Sequence, residues 1–217
     1  MTSRYDAVVF DLDGTLIDTE SLCNAAGVEA CAALGLPVSG EFFESLAGID
    51  DRTRVQLIGE HVGTAVDLSA FLAAWDRLCI ERFAQGIPLK PGAIELLEQI
   101  AAAGIPLALA TSSRRGPAED KLRMAGLARH FRTVVTFDDV AAPKPAPDAY
   151  LLAVDRLGVP PARALAFEDS ETGARAAHAA GLTVVQVPDL HPTQGAHAHH
   201  VASSLLEGAA MAGLLPV

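Results

Sequence analysis

The chain has 217 residues, half of them hydrophobic, long enough for one full core and a smaller second lobe. Its 27 Asp and Glu outweigh 16 Lys and Arg. The net charge of −11 argues against nucleic acid or an anionic membrane as a partner, because both are bound through surplus Lys and Arg, and an anionic ligand would need a local cationic site.

The start, Met1 to Asp6, is polar, and the apolar run after it is too short for a signal peptide or a spanning helix, so a soluble, cytoplasmic protein is expected. Residues 7–10 suit a strand buried on both faces, and polarity changes abruptly at Asp11. In an extended chain Asp11 and Asp13 project to the same side, and Gly14 lets the backbone turn close by. Such a pair can hold a hard cation while one carboxylate attacks phosphorus and the other handles a proton.

Residues 20–34 lack Pro, are rich in Ala and stop at Gly35 with Pro37 beyond, which predicts a helix. Residues 41–46 and 52–62 also read as helical. Leu68, Phe71, Leu72, Trp75, Leu78, Cys79 and Phe83 then form one stripe at helical spacing, the pattern of a bundle core. Cys23, Cys31 and Cys79 are odd in number and lack a Cys-x-x-Cys spacing, so they read as small, mainly buried side chains and not as a disulfide framework or zinc site. After Lys90-Pro91-Gly92 the pattern changes to helices at 94–103, 119–124, 147–157 and 174–180 alternating with strands at 106–110, 133–137, 164–167 and 183–187. Alternation of this kind predicts right-handed crossovers and a mostly parallel sheet, with ligands at the carboxyl ends of the strands. His191, His197, His199 and His200 are irregularly spaced and read as a polar loop, and residues 203–215 as a closing amphipathic helix.

Three loops carry further candidates. After the second strand, Thr111, Ser112, Ser113 and Arg114 precede a helix whose free N–H groups, with the hydroxyls, would cradle phosphate. Lys144 lies in Pro143-Lys144-Pro145-Ala146-Pro147, so its stem leaves from a stiff base. Glu168 and Asp169 end another apolar strand, and with Asp11 they supply the oxygen-rich ligation that Mg2+ prefers.

Asp11-Leu12-Asp13-Gly14-Thr15 resembles the first signature of the haloacid dehalogenase-like phosphohydrolases. Thr111, Lys144-Pro145 and Glu168-Asp169 resemble the second, third and fourth, in order, and the match spans the core. The resemblance implies an α/β fold, a Rossmann-like three-layer core (residues 1–18 and 86–217) with an inserted α-helical cap (19–85), most similar to the beta-phosphoglucomutase and small sugar-phosphate phosphatase branch. It implies Asp11 as nucleophile, Asp13 as acid/base, and Mg2+ held by Asp11, the Asp13 carbonyl and Asp169, with Glu168 a ligand or one layer behind. Thr111, Ser112 and Lys144 would bind phosphate, joined by Ser113, Arg114, Gly48 and Arg52 as substrate contacts.

The activity so implied is Mg2+-dependent hydrolysis of a small sugar- or polyol-like phosphomonoester through an aspartyl-phosphate. The alternatives are a phosphomutase on the same core and a non-catalytic sugar-phosphate-binding protein. Haloacid dehalogenases lack the second Asp. Where the mutases carry a cap His this chain has Cys23, and Ala47 and Asp51 replace a Lys and an Arg, with Arg52 one position away, so hydrolysis is expected over isomerisation.

Overall fold

The computed structural model describes residues 4–46, 49–190 and 192–214. The chain divides into two compact units, Met1–Asp18 with Pro88–Val217, and Thr19–Ile87. The first apolar run becomes β1 (Ala7–Phe10), buried along its whole length.

The unit Thr19–Ile87 holds α1 (Thr19–Ala33), α2 (Gly40–Glu44), α3 (Asp51–Val62) and α4 (Leu68–Ala84). Ser39, Asp50 and Asp67 start the last three by accepting hydrogen bonds from first-turn N–H groups, which have no partner within the helix. The stripe expected on α4 forms as read. Phe71, Leu78 and Cys79 are buried with Ala26, Ala30, Cys31, Phe43 and Ile58, while Leu68, Leu72, Trp75 and Phe83 flank them. The Trp75 indole N–H donates to the Cys23 carbonyl at 2.6 Å, tying α4 to α1.

The other unit continues through α5 (Ala93–Ala102), β2 (Leu107–Ala110), α6 (Arg115–Met124), β3 (Thr133–Val135), α7 (Asp148–Leu157), β4 (Ala164–Glu168), α8 (Glu171–Ala179), β5 (Thr183–Gln186), β6 (His200–Val201) and α9 (Leu205–Ala212). The strands form one parallel sheet in the order β3-β2-β1-β4-β5-β6. Side chains of alternate residues face opposite ways. Ala7, Val9, Ala108, Ala110, Ala164 and Ala166 lie on one face, and Ala149, Ala153, Ala174 and Ala177 of α7 and α8 pack into the same core. On the other face Phe10 stacks on Phe167 at 4.8 Å, and α9 approaches so closely that a Cβ on Gly208 would lie 2.4 Å from Val185. The result is the three-layer Rossmann-like fold.

Several local expectations change. Helix α8 starts at Glu171, not 174, because Ser170 caps it by accepting the Gly173 N–H. Helix α6 starts at Arg115, not 119, and runs through Gly116-Pro117, because first-turn N–H groups lack intrahelical partners and Pro there costs nothing. Strand β3 ends at Val135, not 137, because Thr136 and Asp139 form a reciprocal capping box that turns the backbone into a short 3-10 helix. The segment read as a polar histidine loop contains β6, docked when His199 Nδ1 accepts the Val184 N–H at 3.0 Å and its own N–H returns to the Val184 carbonyl.

Candidate active site

The register of the sheet assembles the site. Phe10 is opposite both Leu109 of β2 and Phe167 of β4, so the residues that follow these three leave the sheet at one edge. That edge lies where the strand order reverses, between β1 and β4, the place where open parallel sheets bind ligands. A cavity of about 330 Å³ opens there, lined by Asp11, Asp13, Thr111, Ser112, Ser113, Lys144 and Asp169, with Ser170, Thr172 and Gly173 at the head of α8.

Lys144 is the centre of the buried charge. Its side chain is 4% exposed, and its ammonium donates to Asp11 Oδ1 (2.7 Å), the Ala110 carbonyl (2.9 Å) and Glu168 Oε1 (2.6 Å), using all three donors. Burial opposes the charge on Lys144, but the carboxylates of Asp11 and Glu168 outweigh it and hold the ammonium protonated. Glu168, fully buried, also accepts from the Tyr150 hydroxyl (2.5 Å) and from Ser170 Oγ on its second oxygen (3.2 Å). A Cβ on Gly173 would lie 1.9 Å from Glu168 Oε1, so only glycine leaves room for that carboxylate.

Asp11, Glu168 and Asp169 each offer an oxygen within 4.8 Å of the others. Burial first, and then the charges of Glu168 and Asp13 against the opposing Lys144, push Asp11 up to about 7. Burial and the charges of Asp11 and Glu168 push Asp169 up to about 8. Crowded, desolvated carboxylates of this kind suit a hard divalent cation, which takes oxygen ligands and offsets their repulsion. The Asp13-Gly14 turn supports the cluster. Gly14 has φ +83°, and a Cβ there would lie 2.5 Å from Asp169 Oδ2.

Thr111 is buried, and its Oγ1 accepts the Ser113 N–H at 3.1 Å. Asp13 sits on the same wall, one oxygen accepting from Ser113 Oγ (2.8 Å) and the other from Lys121 Nζ (2.7 Å). Of the other residues singled out in the sequence, Arg114 is exposed, pairs with Asp138 at 2.9 Å and lies over the Phe137 ring, outside the cavity lining. Arg52 is an exposed residue of α3 in the helical unit. Gly48, Ala47 and His191 lie outside the described residues.

Tyr150 and Lys121 were not singled out in the sequence. Tyr150 belongs to the buried stripe of α7, where a phenol needs a partner for its hydroxyl. Lys121 stands beside Leu122 and three residues after Ala118, the two buried residues of α6, and a charge at such a position was the available signal.

Paired carboxylates, a buried lysine and an acidic pair converging on one edge of a parallel sheet can hold a divalent cation beside a phosphoryl group, an arrangement that suits an α/β hydrolase. The model of the haloacid dehalogenase-like hydrolases matches residues 5–181, and the chain belongs to that family. It is 33% identical over 177 residues to the "Phosphorylated carbohydrates phosphatase" of Thermotoga maritima, covering 82% of each chain. It is 33% identical over 189 residues to the "Fructose-1-phosphate phosphatase YqaB" of Escherichia coli, covering 86% of this chain and 98% of that one. Among solved structures, a HAD family hydrolase of Deinococcus radiodurans with bound phosphate and sodium is 31% identical, with a TM-score of 0.84 and 98% of each chain covered.

Proposed function

We propose that the protein is a Mg2+-dependent phosphomonoesterase that hydrolyses a small sugar- or polyol-like phosphate through an aspartyl-phosphate on Asp11. The observation that carries this reading is the convergence of Asp11, Lys144 and Asp169 on a cavity that also holds Asp13 and Thr111, with Glu168 buried behind Lys144. The names of the Thermotoga maritima and Escherichia coli relatives support a phosphorylated sugar as substrate class.

Uncatalysed phosphate monoester hydrolysis is among the slowest reactions known, with accelerations reaching about 10^21, so several groups must share the work. Asp11 attacks phosphorus, and the new Asp11–P bond forms as the substrate's P–O bond breaks. Lys144 offsets charge on Asp11 and the phosphoryl oxygens. The Thr111 hydroxyl and the polar groups of Ser112 hold those oxygens at the head of α6, while Ser113 gives its N–H to Thr111 and its hydroxyl to Asp13 and so orients both. Asp13 gives a proton to the departing alkoxide and then takes one from the attacking water. Asp11, Asp169, the Asp13 carbonyl and Glu168 would hold Mg2+, with Glu168, already engaged by Lys144, Tyr150 and Ser170, anchoring the set. When bound, the cation supplies charge stabilisation for the phosphoryl group.

Residues 19–85 are, in this reading, the inserted helical cap that supplies specificity. Among the described residues no helix is long and apolar enough to cross a membrane. Cys23 at the position of the mutase histidine favours hydrolysis over transfer. The test is turnover of 4-nitrophenyl phosphate and fructose 1-phosphate with Mg2+. Sustained phosphate release, abolished in Asp11→Asn, is expected, and stoichiometric binding without release would leave a sensor.

A further inference from the structure

Each carboxylate of the Asp11/Asp13 pair has a lysine of its own. Lys144 Nζ lies 2.7 Å from Asp11 Oδ1, and Lys121 Nζ lies 2.7 Å from Asp13 Oδ1. Lys144 belongs to a loop signature of the family, whereas Lys121 belongs to the body of α6.

An exposed lysine on a helix is ordinarily solvated, but Lys121 is not placed that way. It stands on the inward side of α6 with Ala118 and Leu122, and its side chain is 15% exposed. An ammonium so covered loses much of its hydration and is tolerated when paired. The three groups bond to one another. Lys121 donates to Ser113 Oγ at 3.1 Å as well as to Asp13, and Ser113 donates to the other oxygen of Asp13 at 2.8 Å. Both Asp13 oxygens therefore accept hydrogen bonds, and the carboxylate is fixed on the cavity wall as an acceptor.

We propose that Lys121, with Ser113, is a positioning residue that holds the Asp13 carboxylate for the second half-reaction, the hydrolysis of the phosphoenzyme. In that step the water oxygen bonds to phosphorus, the P–O bond to Asp11 breaks, Asp13 takes the water proton, and Asp11 leaves as a carboxylate. The proposal rests on the phosphomonoesterase reading with Asp13 as acid/base. A carboxylate left to rotate would lose alignment with the water, and a misplacement of about 1 Å costs roughly 10²-fold in rate. Phosphorylation by an aryl phosphate, whose leaving group needs no proton, would be spared.

The experiment is stopped-flow release of 4-nitrophenolate with Mg2+ by wild type, Lys121→Met, Lys121→Arg and Asp13→Asn. Lys121→Met is expected to lower steady-state turnover by about 10²-fold while an initial burst of nitrophenolate, near one per enzyme, keeps the wild-type rate within about twofold. Lys121→Arg, which restores a charged donor, should recover most of the steady-state rate. Lys121→Gln keeps the stem and carries the same expectation if Lys121→Met does not fold. A burst in Asp13→Asn together with wild-type behaviour in Lys121→Met, or with equal loss of burst and steady-state rates there, overturns this inference and leaves the phosphatase reading intact. Full steady-state activity in Asp13→Asn overturns the acid/base reading, and this inference with it.

Discussion

The hydroxyl of Tyr150 donates to Oε1 of Glu168 at 2.5 Å, the same oxygen that Lys144 holds at 2.6 Å. A fully buried carboxylate is thus fixed from two directions before any ligand arrives. Removing one donor from a buried charged acceptor costs about 1.5–3 kcal/mol. Tyr150→Phe, which keeps the ring over which the Lys144 ammonium lies at 5.0 Å, should therefore lower the melting temperature by several degrees. It should also weaken Mg2+ binding by about tenfold or more, because outer partners orient metal ligands. Calorimetric titration beside thermal denaturation checks both. Unchanged Mg2+ affinity would make Tyr150 a packing residue alone.

Mg2+ binding should depend on pH in a defined direction. Asp11 and Asp169 sit at about 7 and about 8 without a cation, and protonated carboxylates do not ligate Mg2+. Affinity should be greatest above pH 8 and fall progressively as pH drops through 8 and then 7, with protons released on binding. Titrations at several pH values in two buffers of different ionisation enthalpy measure both. Affinity that is flat between pH 8 and pH 6 would contradict the crowded-carboxylate picture. Chelation with EDTA should abolish turnover, and Mg2+ at a hundred times its Kd should stabilise the fold by about 2.7 kcal/mol.

Away from the site, Asp139 sets an acid limit. Burial raises it, but hydrogen bonds from the Thr136 hydroxyl and N–H, and from Arg156 and Arg115, outweigh burial and hold it well below the usual carboxylate range. The folded protein therefore binds this proton less readily than the unfolded chain. Its contribution is fully present above the ordinary carboxylate pKa of about 4 and is lost as pH falls through the folded value. Asp139→Asn should cost about 1.5–3 kcal/mol at pH 7 and progressively less in strong acid, read as the gap between the two melting curves. A gap of constant width from pH 7 to pH 2 would rule out the linkage.

Much of the candidate site is legible in the sequence because Asp11, Thr111 and the Glu168/Asp169 pair stand where an apolar strand gives way to polar residues within one residue: Phe10 to Asp11, Ala110 to Thr111, Phe167 to Glu168 and Asp169. Parallel register then brings those switches together. Lys121 and Tyr150 were harder to see because their roles depend on helix rotation relative to the sheet, which one chain's spacing does not fix. The two-residue β6 has no periodicity of its own and exists through backbone pairing with β5. The start of α6 is hard to place from the sequence because Gly116-Pro117 has the composition of a turn, although a Pro in the first turn is compatible with a helix.

The measurement that bears most directly on the account is mass spectrometry of enzyme acid-quenched during turnover of 4-nitrophenyl phosphate with Mg2+. A mass gain of one phosphoryl group is expected, confined to the peptide containing Asp11 and absent from Asp11→Asn, which should also retain its fold by circular dichroism. Turnover with no phosphorylated peptide at any quench time, or an Asp11→Asn enzyme keeping more than about a tenth of wild-type turnover, would contradict covalent catalysis by Asp11.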